Sequence, residues 1–273
     1  MPVAAPAPSV SGMNSNHLLR IGGAAAILAV IVQLAAAMLE PIRDGDTDKA
    51  IRTIAESGAW TGRWLVHLAG IVLIVIAVAV VTRTFSEGRA KEWARVGQSL
   101  FVIAGTLGVA EVLVGGSTKH LADGWAVAAP GQKLSYRAAF EGAWNATVAL
   151  DFGALILLSL YIATLAAAIL TGDVYARWVG WTSAVAAPLL FVGMLLELRS
   201  PVGTAVGVVG NLLVFVVLIA LGLSMWRRAA SPAMHDADGH APYDRDGLTR
   251  RAVSHVEQAM APIEAAETAV DNP

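Results

Sequence analysis

The stretch WLVHLAGIVLIVIAVAVVTRT, Trp64–Thr84, decides the class of fold. It is almost continuously apolar, with no alternation of the kind a half-buried strand needs. At 1.5 Å per residue, about 20 such residues cross roughly 30 Å of hydrocarbon. With no water to satisfy backbone N–H and C=O groups, the segment must close its own hydrogen bonds, which selects a helix. Five further segments read the same way: Leu19–Leu39, Ala94–Val114, Val148–Leu170, Trp178–Leu198 and Thr204–Trp226. The expected fold is an all-α membrane protein, a bundle of six transmembrane helices over residues 18–228. Residues 1–17 read as a disordered N-terminal segment and 229–273 as a mobile cytoplasmic tail.

Composition agrees. The chain has 273 residues, 56% of them hydrophobic and 15% charged, with mean hydropathy +0.62. Soluble domains carry about a quarter charged residues, so much of this surface needs a solvent other than water. A net charge of −2 supplies no basic field for nucleic acid. With no cysteine, disulfides, thiolate metal sites and a thiol nucleophile are excluded.

Tryptophan and arginine set the crossing pattern. Trp60, Trp64 and Trp144 fall at one set of span ends, Trp93, Trp178, Trp181 and Trp226 at the alternate set, and Trp125 in a loop. Interfaces favour such rings. Arg20, Arg83, Arg89, Lys91, Arg95, Arg177, Arg227 and Arg228 crowd short connections on one side, whereas Arg43, Lys49, Arg52, Arg63, Lys119, Lys133, Arg137 and Arg199 are spread over longer loops on the other. Dense basic loops stay inside, which places both termini in the cytoplasm. A rival reading takes Ala35-Ala36-Ala37 as a signal-peptidase site, leaving five spans. The long uncharged leader before Arg20 argues against it.

The first outer loop predicts an amphipathic helix capped by Asp46 or Thr47, with Ala50, Ile51, Ile54 and Ala55 as its apolar stripe and Gly58 as its stop. The second outer loop runs Ser117–Gly142, broken at Pro130-Gly131, with a helix from about Gln132 leading into the fourth span. In the tail, His235, Asp236, Asp238, His240, Asp244 and Asp246 miss the calcium-loop template, since Ala241 stands where it needs glycine. No metal site and no cofactor are expected.

Polar residues inside spans cost free energy in hydrocarbon and therefore point to function or to packing. His67 lies 16 residues before Arg83, Glu111 16 after Arg95 and Asn211 16 before Arg227, so all three stand about 24 Å above the basic edge. Gln33, 13 after Arg20, stands at about 20 Å, and Asp151 slightly higher. Gly97, Phe101, Gly105, Gly108, Glu111 and Gly115 trace one side of the third span; Gly203, Gly207, Gly210 and Asn211 trace one side of the sixth. Small residues at this spacing admit a neighbouring helix. The candidate site is therefore Gln33, His67, Glu111, Asn145, Asp151 and Asn211, with Glu111 and Asp151 as candidate catalytic acids. Glu40 and Glu197 read as interfacial groups that snorkel to water. The competing reading is polar glue, each bond worth around 1 kcal/mol.

Several short motifs share a family likeness: the Gly22-Gly23 start, Asp48–Ala55 (DKAIRTIA), Trp64-Leu-Val-His67, and Tyr175–Trp181 (YARWVGW). With them, residues 18–226 resemble bacterial multi-span inner-membrane families catalogued as domains of unknown function. The resemblance implies a bacterial plasma-membrane location and brings no catalytic residues. Three functions fit. One is a small transport, sensor or accessory protein whose outward pocket handles a proton, cation or small hydrophobic molecule. A second is an intramembrane enzyme using a buried carboxyl as general acid on an isoprenoid-like substrate. The third is a scaffold without chemistry. The expected partners are the lipid bilayer and a small hydrophobic or cationic ligand, with no nucleic acid.

Overall fold

The computed structural model describes residues 15–39, 46–197 and 200–230. The expectations for residues 1–14, Glu40 and residues 231–273 lie outside those residues, while residues 15–17 and 229–230, read as parts of the N-terminal segment and the tail, belong to the first and last helices. Among the described residues there are seven helices and no strand: α1 (Ser15–Met38), α2 (Thr47–Glu56), α3 (Trp60–Thr84), α4 (Gly88–Val127), α5 (Pro130–Thr171), α6 (Arg177–Glu197) and α7 (Pro201–Ala230). All except α2 are long and apolar enough to cross a membrane.

The six long helices pack in chain order, α1 on α3, α3 on α4, and so on to α7, and α1 closes against α7. The result is an up-and-down ring. Short connections force this antiparallel neighbour packing. Glycine fixes two of the closest approaches. A Cβ on Gly23 would lie 2.7 Å from the carbonyl oxygen of Gly222, and one on Gly222 2.8 Å from that of Gly23, so α1 and α7 touch backbone to backbone. Gly193, Gly203 and Gly210 do the same between α6 and α7.

Two helices are much longer than their spans. α4 has 40 residues and α5 has 42, about 60 Å each. The segment expected as a loop from Ser117 is instead a continuation of α4 to Val127, and α5 starts at Pro130, earlier than Gln132. Proline suits the first helical turn, where its missing N–H has no intrahelical acceptor. The buried stripe of α4 explains the length: Ala90, Ala94, Gly97, Phe101, Ala104, Gly108, Glu111, Gly115, Thr118, Ala122 and Trp125 alternate steps of four and three. That 3.5-residue period keeps one face on a partner along the whole helix. Trp125 is accordingly not in a loop but buried in α4, 8% exposed.

α2 packs on the projecting parts of α4 and α5. The Asp46 carboxylate accepts from the Asp48 N–H at 3.0 Å, capping the helix. Ile51 and Ile54 are fully buried in a cluster with Trp60, Trp64, Trp125 and Phe140. Lys119 donates to the carbonyl of Ala55 at 3.0 Å, a cation on a helix C-terminus, and Arg137 stands 3.2 Å from Asp48 near the N-terminus.

Candidate functional site

The site is built at the α2 end of the ring, where α3 begins. Trp60, Arg63, Trp64 and His67 recur at spacings of three and four, so they form a column on one face of α3. Trp60 is fully buried, and its indole N–H donates to Thr118 Oγ1 at 3.1 Å. Trp64 meets Trp60 edge-to-face, with centroids 6.0 Å apart, and meets His67 the same way at 6.1 Å. Trp64 reaches this position because position 115 is glycine; a Cβ there would collide with its six-membered ring. The Arg63 guanidinium lies 4.5 Å from the Trp64 ring centre and 5.5 Å from that of Trp60. Trp60 and Trp64 therefore belong to the protein interior and not to an interfacial belt. Trp93, Trp178, Trp181 and Trp226, at the other end, are 42–64% exposed.

His67 joins two helices to its own. Nδ1 lies 2.7 Å from Gln33 Oε1 on α1, and Nε2 lies 3.8 Å from Glu111 Oε2 on α4. An amide oxygen can only accept, so Nδ1 carries the proton of that bond. In the neutral ring Nε2 is then an acceptor facing a carboxyl. One proton, held either as Glu111 COOH or as imidazolium beside carboxylate, satisfies the pair. At 3.8 Å the two groups stand within ion-pairing distance and beyond direct hydrogen-bond reach. Gly70 makes room for the amide, since a Cβ there would lie 2.8 Å from Gln33 Cδ. Glu111 is only 8% exposed.

Two cavities adjoin this chain. The larger, about 420 Å³, is bordered by α1, α3, α5, α6 and α7 and includes Gln33, His67, Asp151 and Asn211 in its wall. The smaller, about 380 Å³, includes Trp64, Glu111, Trp144 and Phe152. Arg63, Asp151, Leu155, Met194 and Glu197 line both. Asp151 is exposed, so the shared wall is reached from solvent-accessible space. Among the described residues no group of three His, Asp or Glu side chains is placed to hold a metal ion.

A scan against protein-family models gives no match, and searches of curated proteins and of solved structures give none either. Function must therefore be argued from the site itself.

Of the six residues expected from sequence, five line one cavity or the other. Gln33 and His67 are hydrogen-bonded and Glu111 stands 3.8 Å from His67; Asp151 and Asn211 share the larger wall. Asn145 does not belong: it is exposed and lines neither cavity. Counting residues gives position along a helix but not the direction a side chain faces; Asn145 lies on an exposed face of α5, outside the span and about two turns outward of Asp151. Two residues were missed. Glu197 lines both cavities and is more than an interfacial carboxylate, and Arg63 lies one turn above His67 on the same face. The column Trp60, Arg63, Trp64, His67 was the available signal for Arg63.

Proposed function

We propose that the protein is a multi-pass protein of the bacterial plasma membrane. In this reading its α2 end faces the exterior, its termini are cytoplasmic, and the paired cavities form an outward pocket that binds a small molecule under the control of one proton. The role is that of a small transport, sensor or accessory protein. The observation that carries it is the chain Gln33–His67–Glu111, which holds an imidazole against a carboxyl on the wall of a polar-mouthed cavity inside an apolar ring. Polar glue needs no adjoining empty volume, and these cavities argue for occupancy. The cysteine-free chain makes the test simple: a membrane-impermeant thiol reagent applied outside labels Asn211→Cys and not Ser224→Cys. Equal labelling at both positions would replace the pocket with a continuous pore. Reporter fusions near Gly88 and after Arg228 should read cytoplasm; reversed readings overturn the orientation.

One observation favours the enzyme reading as a second choice. Glu111 shares the smaller cavity with Trp64, Trp144 and Phe152, and aromatic faces stabilise developing positive charge. Turnover of an isoprenoid that is lost in Glu111→Gln would move that reading to the front.

A further inference from the structure

We infer that the paired cavities take an amphipathic ammonium compound with an acceptor oxygen near its head and a hydrocarbon tail. This rests on the reading of the cavities as a ligand pocket. The smaller cavity supplies the head site. Trp144 and Phe152 give it aromatic side chains beside Trp64, whose ring already carries the Arg63 guanidinium, and Glu111, Asp151 and Glu197 give it carboxyls, with Arg63 as the one basic side chain of its wall among the described residues. Three carboxyl side chains stand against one guanidinium in that wall. A cation offsets the acidic excess; an anion would add to it. Aromatic faces with nearby carboxylates attract alkylammonium groups over hydrated metal ions.

The acceptor follows from Trp64. This residue is 3% exposed, it lines the smaller cavity, and its indole N–H is buried without a hydrogen-bond partner among the described residues. Leaving a buried donor unmade is costly, and an indole can only donate. A ligand oxygen beside the ammonium would satisfy it. The tail follows from the larger cavity, which continues from the shared wall at Leu155 and Met194. Its α7 lining runs from Thr204 through Asn211 to Leu218, about 21 Å of helix, and its deeper wall is apolar, with Leu158, Ile162, Val214 and Phe215. Polar mouth and apolar floor match one molecule with a charged end and a greasy one.

The probe is hexanoylcholine, titrated by calorimetry into the full chain in lipid nanodiscs. It should bind at least about tenfold more tightly than its uncharged isostere, in which carbon replaces the ammonium nitrogen. Choline, which lacks the tail, should be weaker by a similar factor. Hexyltrimethylammonium, which lacks the ester, should be weaker by about fivefold. Trp64→Phe should erase that last difference by weakening the ester probe alone. Because the ligand series is run on the unaltered protein, a variant that misfolds does not blunt the test. An isostere that binds as well as the cation overturns the ammonium assignment. No binding by any probe, with Asn211→Cys still labelled from outside, overturns the ligand class and leaves the pocket standing. No binding together with an unlabelled Asn211→Cys overturns both.

Discussion

The two ends of the ring are built on opposite plans. At the end where α3 and α7 finish, side chains fill the space between helices. Ile169, Val217 and Leu221 are almost fully buried, and Tyr175 is clamped by Phe85, Thr84 and Arg228. Burial pushes the Tyr175 phenol above its ordinary range, so it stays a neutral hydrogen-bonding group there. At the α2 end the helices enclose two cavities, and the packing moves outward into α2 and the projecting α4–α5 hairpin. In hydrocarbon the hydrophobic effect does not drive helix association; close packing and hydrogen bonds do. A membrane ring can therefore leave one half hollow only if the other half, or an external brace, holds it. Here the filled end is the clamp, and α2 with the hairpin is the brace.

The largest expected effect breaks the clamp. Gly222→Leu drives a side chain into the backbone of α1 at Gly23 and should destabilise the protein by about 3 kcal/mol or more. Thermal unfolding in detergent measures it, and an unchanged midpoint would show that α1 does not close the ring against α7. The next compares the two halves directly. Ile169→Ala, in the filled end, should cost about 3 kcal/mol, because the cavity it leaves has no way to collapse. Leu155→Ala, on the wall shared by the cavities, should cost about 1 kcal/mol, since that side chain already lacks partners on one side. Equal costs would mean that the hollow half is packed in the membrane. Gly115→Ala is a smaller and more selective change. Its methyl displaces Trp64, so it should cost about 1–2 kcal/mol and shift the tryptophan emission, while leaving the filled end intact.

The difference between the ends also explains what was legible in the sequence. Six spans can be read because hydrocarbon imposes one length and one secondary structure on each. The filled end can be read as well, since glycine and apolar residues follow helical spacing. The brace is harder. Ser117–Val127 carries Lys119, His120 and Asp123, so hydropathy marks it as loop, although Gly115, Thr118, Ala122 and Trp125 continue the α4 stripe in step. Those residues are too small or too scattered to register as apolar, but their spacing was the usable signal. In the site, depth was recoverable from the basic anchors and facing was not. That is why Gln33, His67 and Glu111 meet, Asn145 faces away, and Arg63 and Glu197, set aside as surface charges, form the mouth.

The smallest expected effect on stability sharpens the comparison most. Glu111→Gln keeps the shape of the side chain and its capacity to hydrogen-bond His67, but removes the group that can share a proton with it. If the hollow end is held by the clamp and the brace, this bond is not needed for folding, and the cost should stay within about 0.6 kcal/mol, the mean for hydrogen bonds between membrane helices. Binding should respond differently. Glu111 shares its cavity with Arg63, Asp151 and Glu197, and Glu111→Gln and Asp151→Asn each take one carboxyl from that wall. Each variant should therefore bind hexanoylcholine more weakly than the unaltered protein at the same pH, while the uncharged isostere binds all three alike. Calorimetry on the three proteins reads this directly. Cation affinity unchanged in both variants, with folding intact, would show that the carboxyl wall of the hollow end does not hold the ammonium group.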